Sequence, residues 1–151
     1  MDKILILDFG SQYNQLIARR IREMGVYTEI VPFNTSVEDI RREHPKGLIL
    51  SGGPSSVFGA EAALVSPELF ELGIPVLGIC YGMQLISHLL GGEVKKGEKG
   101  EYGKSEFKVL APGGLLENVP ENSVVWMSHF DEVAKAPPGF TVTGRSNIEI
   151  A

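Results

Sequence analysis

Residues 75–90 read PVLGICYGMQLISHLL, and the fold is decided in this stretch. Pro75 to Ile79 is a short apolar run of strand type, and Met83 to Leu90 carries a helical pattern. Between them Gly78-Ile79-Cys80-Tyr81-Gly82 has the form glycine–x–nucleophile–x–glycine. That form makes a sharp strand-to-helix turn, which lifts one side chain to the top of a parallel sheet. Working outward, three further strands precede it. Lys3 to Asp8 (KILILD) is a nearly continuous apolar run, as expected of a strand buried on both faces. Val26 to Val31 alternates, and Gly47 to Leu50 is again buried in type. The first and second are separated by a helical stripe of Leu16, Ile17, Ile21 and Met24 ending at Gly25. The second and third are separated by a short charged helix opened by Ser36, with Asp39 in the capping-box position. Strands alternating with helices predict a doubly wound α/β sheet with right-handed crossovers. Ligands collect at the carboxyl ends of such strands, so the loops after Asp8, Leu50 and Ile79 are the candidate site.

Downstream the character changes. Residues 95–104 (KKGEKGEYGK) mix both charges with glycine and read as an exposed loop. Shorter strands are predicted around Phe107–Leu110, Val124–Met127 and Phe140–Thr143, as an antiparallel edge or an added hairpin layer. No internal repeat and no second domain is read from the pattern.

The bulk properties exclude several classes. A chain of 151 residues is long enough for one hydrophobic core, and 43% hydrophobic with 22% charged residues is ordinary for a soluble domain. A net charge of -5 argues against a surface that neutralises nucleic-acid phosphates. No apolar run approaches the roughly 18 residues of a membrane span. Met1-Asp2-Lys3 runs straight into a strand, leaving no room for a signal peptide, so a cytoplasmic protein is expected. A single cysteine rules out an internal disulfide framework.

At the turn, Cys80 stands at a helix N-terminus, where the helix dipole lowers a thiol's pKa and raises its thiolate fraction. Tyr81, the next residue, can offer its backbone N–H to a developing oxyanion. Ser51-Gly52-Gly53-Pro54 follows the third strand, and Gly53 is placed to donate the second such hydrogen bond. Two rival readings of that loop exist. One is a plain tight turn. The other is a pyrophosphate cradle, disfavoured because Ser55 replaces its aspartate and Pro54 lacks an N–H. For Cys80 the rival is a buried structural thiol, the commoner role for a lone cysteine.

Taken together, strand–SGGP, strand–GICYGMQ and Trp126-Met127-Ser128-His129-Phe130-Asp131-Glu132-Val133 resemble the class I glutamine amidotransferase domains. The opening Leu5-Ile6-Leu7-Asp8-Phe9-Gly10-Ser11-Gln12-Tyr13, with Ala18-Arg19-Arg20-Ile21-Arg22-Glu23, narrows the resemblance to those of the glutamine-hydrolysing GMP synthases. The likeness covers essentially all 151 residues. It implies a flavodoxin-like, mostly parallel sheet with helices on both faces and an added antiparallel region in the C-terminal third. It implies that Cys80 attacks the side-chain amide of glutamine, forming a thioester and releasing ammonia. Gly53 and Tyr81 would be the oxyanion donors, and Gln84 would help hold the substrate. Backbone groups around Ser128, Phe130 and Asp131 would grip its α-amino and carboxylate ends. Ammonia would pass to an ATP-pyrophosphatase (synthetase) domain or subunit, which needs ATP and Mg, for amination of xanthosine monophosphate to GMP. A homodimer is expected of the full-length protein, with no cofactor on this domain.

Two departures stand out. The family usually has glycine where this chain has Phe130. Its catalytic histidine and glutamate lie in a His-Pro-Glu segment that these 151 residues do not contain. The domain is therefore expected to be C-terminally incomplete, and the 151 residues alone to have little or no glutaminase activity, because the thiol lacks its base. Of the three histidines, His44 lies in a charged stretch and His88 is about 12 Å from Cys80 along its helix. The resemblance gives His129 a positioning role. Rival functions are the same chemistry feeding anthranilate or carbamoyl phosphate synthesis, and a non-catalytic flavodoxin-like module that senses glutamine or docks a partner.

Among other side chains, Asp8 is expected to cap the following helix. Arg19, Arg20 and Arg22 read as solvated helix surface, and Trp126 as core. No His, Cys and carboxylate cluster has metal-ligand spacing, so no metal is expected on this domain.

Overall fold

The apolar run Lys3–Asp8 forms β1 at the centre of a four-stranded sheet, with Leu5, Ile6 and Leu7 at most 1% exposed. The computed structural model describes residues 1–147, 150 and 151, with Lys99 by its backbone alone. Parallel partners lie on both sides of β1. Ile6 pairs with Ile30 of β2 (Tyr27–Pro32) and with Ile49 of β3 (Gly47–Leu50). β4 (Val76–Gly78) adds beyond β3, also parallel, giving the order β2-β1-β3-β4. β4 is shorter than the apolar run 75–79 because the chain leaves the sheet at Ile79 to enter the turn.

The order sets the layers. β1 to β2 steps one way along the sheet and β2 to β3 steps back past β1. Right-handed crossovers therefore put α1 (Asn14–Glu23) and α2 (Val37–Arg42) on opposite faces. Packing agrees: Ala18 and Ile21 of α1 cluster with Ile6 and Ile49, joined by Ile4, Ile17 and Ile30. Leu5, Leu7, Leu48 and Leu50 point the other way by strand alternation and are equally buried. The expected α1 stripe is corrected in part. Leu16 is 50% and Met24 72% exposed, whereas Asn14, Ala18 and Ile21 make the buried face. A polar and a small residue carry that face, so an apolar count missed it. Ser36 caps α2: its hydroxyl accepts from the Asp39 N–H and donates to the Asp39 carboxylate, in place of the reciprocal backbone bond of a capping box.

The described residues divide into two compact units, Met1–Ile86 and Ser87–Ala151. α3 (Tyr81–Leu89) begins in the first and ends in the second. In the second unit, residues 95–104 are no loop but part of a long strand, β5 (Glu93–Val109), which pairs antiparallel with β6 (Asn122–Lys135). The short β7 (Gly144–Arg145) adds on the other side, giving order β6-β5-β7. The predicted strands at 107–110 and 124–127 fall in β5 and β6, but Phe140–Thr143 is not a strand and pairing begins at Gly144. Mixed charge and glycine misled the reading at 95–104, because this ribbon turns one face to solvent. Along β5 the residues Tyr102, Lys104, Glu106 and Lys108 are exposed while Glu101, Ser105 and Val109 are buried. Trp126 is likewise corrected: it stands on the exposed face of β6, 76% accessible, opposite Lys104. Among the described residues no helix is long and apolar enough to cross a membrane.

Candidate active site

Three loops leave the carboxyl ends of β1, β3 and β4, and β1 and β3 flank the point where the strand order reverses. At the third loop Cys80 takes φ +50°, a left-handed conformation that an L-residue adopts only under steric cost. Its neighbours fix it there. The Ile79 N–H donates to the Leu50 carbonyl on β3 (3.0 Å), and the Gln84 N–H donates to the Cys80 carbonyl (3.1 Å) as α3 begins. Cys80 is solvent-exposed at the helix N-terminus, as the nucleophile reading requires and a structural thiol does not.

The flanking glycines are there for close approach. A Cβ on Gly82 would lie 2.1 Å from the Leu50 carbonyl oxygen, so α3 can meet β3 only without a side chain. For Gly82 the obstacle is the neighbouring strand. At Gly78 the obstacle is the helix itself, with the Met83 nitrogen 2.6 Å from a Cβ built there.

The Ser-Gly-Gly-Pro loop reaches the same place from β3. Gly53 sits against the backbone of Phe9, where a Cβ would fall 2.1 Å from the Phe9 oxygen. A Cβ on Gly52 would lie 3.3 Å from that of Cys80 and 4.0 Å from its Sγ, so the loop passes directly beside the thiol. Ser51, fully buried, ties the first two loops together. Its hydroxyl accepts from the Phe9 N–H (3.0 Å) and donates to the Gly52 carbonyl (2.9 Å). Sequence reading passed over Ser51. Its signal was a hydroxyl residue at the very end of a buried strand, where a loop backbone needs a local partner.

Tyr81 carries more than its N–H. The side chain is 2% exposed, its ring packs against Phe9 (centroids 5.4 Å apart), and its hydroxyl donates to the Ala63 carbonyl (2.8 Å). Burial pushes its phenol above the ordinary value. The residue next to the nucleophile is thus anchored to two of the three loops. Gln84, one turn into α3, is 5% exposed. Asp8 accepts from the Gly10 N–H (2.7 Å) and from the Asn14 side-chain amide (2.6 Å). It therefore ties the loop to the first residue of α1, whereas the N-cap position itself is Tyr13.

The other sequence-predicted residues lie in the second unit, on β6. Ser128 is exposed and Phe130 is 47% exposed, while His129 and Asp131 are buried at 8% each. The pairing slips here. Lys96 faces Asp131 and Glu101 faces His129, so 97–100 bulge opposite Phe130. Of the arginines, Arg19 and Arg20 pair with Glu23 on the surface of α1, as expected of solvated helix. Arg22 instead donates twice to the Thr28 carbonyl and pins α1 to β2.

Comparison with known proteins agrees with this geometry. The family described as glutamine amidotransferase class-I matches residues 5–151. A GMP synthase [glutamine-hydrolyzing] of Lactobacillus johnsonii is 56% identical over 146 residues, which are 96% of this chain and 28% of that protein. The same enzyme of Enterococcus faecalis is 52% identical over 147 residues, 97% of this chain and 28% of that one. The chain thus spans little more than a quarter of the length of these curated relatives. A protein of Thermoplasma acidophilum assigned as a GMP synthase subunit superposes with a TM-score of 0.79 at 30% identity, over 97% of this chain and 74% of that one. A glutamine amidotransferase from Thermotoga maritima shares the fold, with a TM-score of 0.78 at 19% identity over 97% and 67% of the two chains. A cysteine raised at the strand–helix turn, a glycine loop passing beside its sulfur and a match from residue 5 to the last residue lead to one statement: the chain belongs to the class I glutamine amidotransferases.

Proposed function

We infer that the intact protein carrying this chain hydrolyses glutamine to glutamate and ammonia through a thioester on Cys80. The observation that carries the reading is the exposed Cys80 at φ +50°, with the Gly52–Gly53 loop beside its sulfur. The thiolate, favoured by the N-terminus of α3, attacks the side-chain amide carbon. The carbonyl oxygen becomes an oxyanion and accepts from the backbone N–H groups of Gly53 and Tyr81. Collapse of the tetrahedral adduct breaks the C–N bond, the nitrogen leaves as ammonia with the proton that the Cys80 thiol gave up, and water then cleaves the thioester to glutamate and the restored thiol. The rigid anchoring of Tyr81 matters here, because oxyanion donors act by being in place before charge develops. Gln84 helps hold the substrate, and the family resemblance assigns its amino-acid end to the backbone around Ser128, Phe130 and Asp131. Phe130, where the family usually has glycine, gives that contact a bulkier side chain.

The acceptor reading rests on the relatives, which are named GMP synthases. Ammonia is passed to an ATP-dependent synthetase domain or subunit that uses Mg and aminates xanthosine monophosphate to GMP. The test is glutamate release from glutamine by the intact protein that carries this chain, compared with its Cys80→Ala variant. Turnover that vanishes in the variant supports the reading, and turnover that survives it overturns the role of Cys80. Substituting anthranilate- or carbamoyl-phosphate-type acceptor systems for xanthosine monophosphate and ATP tests the acceptor: stimulation by one of those instead would overturn the GMP assignment.

A further inference from the structure

One end of the ribbon in the second unit sets two like charges face to face. Lys108 of β5 and Arg145 of β7 are directly opposed in the antiparallel register, so both side chains leave the same face of the sheet. The Cβ atoms of such a pair lie about 5 Å apart, and like charges placed there repel. Both residues are exposed, and among the described residues neither forms an ion pair. On its other side Lys108 is paired with Asn122 of β6, so one row across the three strands reads Asn122–Lys108–Arg145. Each member of that row carries N–H donors. The chain as a whole has a net charge of -5, so a row of cations is against its grain.

The row borders a cavity of about 560 Å³. The one carboxylate among its described lining residues, Glu106, stands two residues back along β5, about 7 Å away, in the row with Val124. Phe107, Leu110 and Val124 give the cavity apolar wall. The Phe107 wall is built into the pairing. A Cβ on Gly144 would fall 2.2 Å from Cζ of that ring, so β7 closes on β5 only because residue 144 has no side chain. The same close approach holds Arg145, the next residue, against Lys108.

A dianion between the two cations turns their repulsion into attraction. A guanidinium fork and an ammonium side by side suit the several acceptor oxygens of a phosphate, whereas a carboxylate brings one charge to a pair. Phosphate alone leaves most of the cavity unfilled, and the volume is in the range of sites for small organic ligands. We propose that this cavity binds a small phosphate monoester, with the phosphate between Lys108 and Arg145 beside the Asn122 amide and the organic body against Phe107 and Val124. The inference stands independently of the glutaminase reading, since every residue in it lies in the second unit.

The test uses the intact protein that carries this chain, titrated calorimetrically with ribose 5-phosphate, ribose and inorganic phosphate. Ribose 5-phosphate is the probe because it has no base for a nucleotide site to recognise. Lys108→Gln and Arg145→Gln are compared with the parent, and Lys104→Gln, opposite Trp126 and outside the described lining, is the control. Ribose 5-phosphate is expected to bind the parent and the control alike. Its Kd should rise about tenfold in either cavity variant, the scale of one hydrogen bond to a charged group. Ribose should not bind, and inorganic phosphate should bind more weakly than the ester. Melting supplies a second readout that a pair of merely solvated cations would not move. Without phosphate, Arg145→Gln should melt about 1–4 °C above the parent, because the repulsion is gone. At saturating ribose 5-phosphate the order should reverse. Absence of binding, or binding that both cavity variants leave unchanged, overturns the proposal. Inorganic phosphate bound as tightly as the ester overturns the choice of a monoester, and an Arg145→Gln protein that melts below the parent without phosphate overturns the like-charge argument.

Discussion

Replacing Gly82 with alanine sets two physical effects against each other with opposite signs. Gly82 lies in the first turn of α3, and on helix propensity alone alanine should stabilise the protein by about 1 kcal/mol. The structure says otherwise. The added Cβ would sit 2.1 Å from the Leu50 oxygen, 2.7 Å from its carbonyl carbon and 2.8 Å from its Cβ. All three are below the 3.0 Å that real Cβ atoms respect, and two of them are backbone of a central strand that has no rotamer to change. Relief needs α3 to move off β3 by about 1 Å in an interior packed as densely as a crystal. Overpacking of this kind costs about 1–3 kcal/mol, and a backbone obstacle puts it at the upper end. Net of propensity, Gly82→Ala is expected to lose about 2 kcal/mol, a fall of roughly 4–8 °C in Tm for a chain of this size. The same shift displaces Cys80 and the Tyr81 N–H relative to Gly53. An error of about 1 Å in such an arrangement costs on the order of 100-fold in rate. Differential scanning calorimetry and the rate of Cys80 alkylation by 6-diazo-5-oxo-norleucine measure the two consequences. A variant as stable as the parent or more so, labelled at the parent rate, would refute the close-approach argument.

Other outcomes follow from the same geometry. Cys80→Gly should be more stable than Cys80→Ala by about 1 kcal/mol in urea denaturation, because only glycine takes φ +50° without steric cost. Equal stabilities would mean that the turn relaxes. Ser51→Ala strands the buried Phe9 N–H and should cost about 1–3 kcal/mol in the same assay. For Glu101, burial opposes ionisation, but hydrogen bonds from Ser146, His129 and Ser105 and the charge of His129 outweigh it and hold its carboxyl below the ordinary value. A depressed folded pKa stabilises above the unfolded value and loses that stabilisation as pH falls through the folded one. Acid titration of stability should therefore show a decline below the normal glutamate range that is shallower in Glu101→Gln; identical acid limbs would contradict it.

Legibility in the sequence followed the physics of each element. β1 and β3 were read to the residue, since a strand buried on both faces is simply a run of Ile and Leu. The turn at Cys80 was legible because strain and close approach leave few residue choices, and the glycines record both. α1 was half legible: Ile17 and Ile21 point inward as read, but Asn14 and Ala18 complete the face through a hydrogen bond to Asp8 and through small size. The ribbon of β5 and β6 was least legible. One face is wet, so Lys104 and Glu106 are proper strand residues, and Trp126 stands on that face rather than in a core. For the same reason Glu101 passed unnoticed. A buried carboxylate and a solvated one are the same letter, and only its partners Ser105, His129 and Ser146, brought together by pairing across the chain, tell them apart.

The claim on which the account turns is that the sulfur of Cys80 attacks the side-chain carbonyl of glutamine. Incubation of the intact protein that carries this chain with 6-diazo-5-oxo-norleucine, followed by peptide mapping by mass spectrometry, measures this at the atom concerned. A single adduct on the peptide containing Cys80, suppressed by excess glutamine, is the expected result. No adduct, or one that glutamine does not suppress, would contradict it.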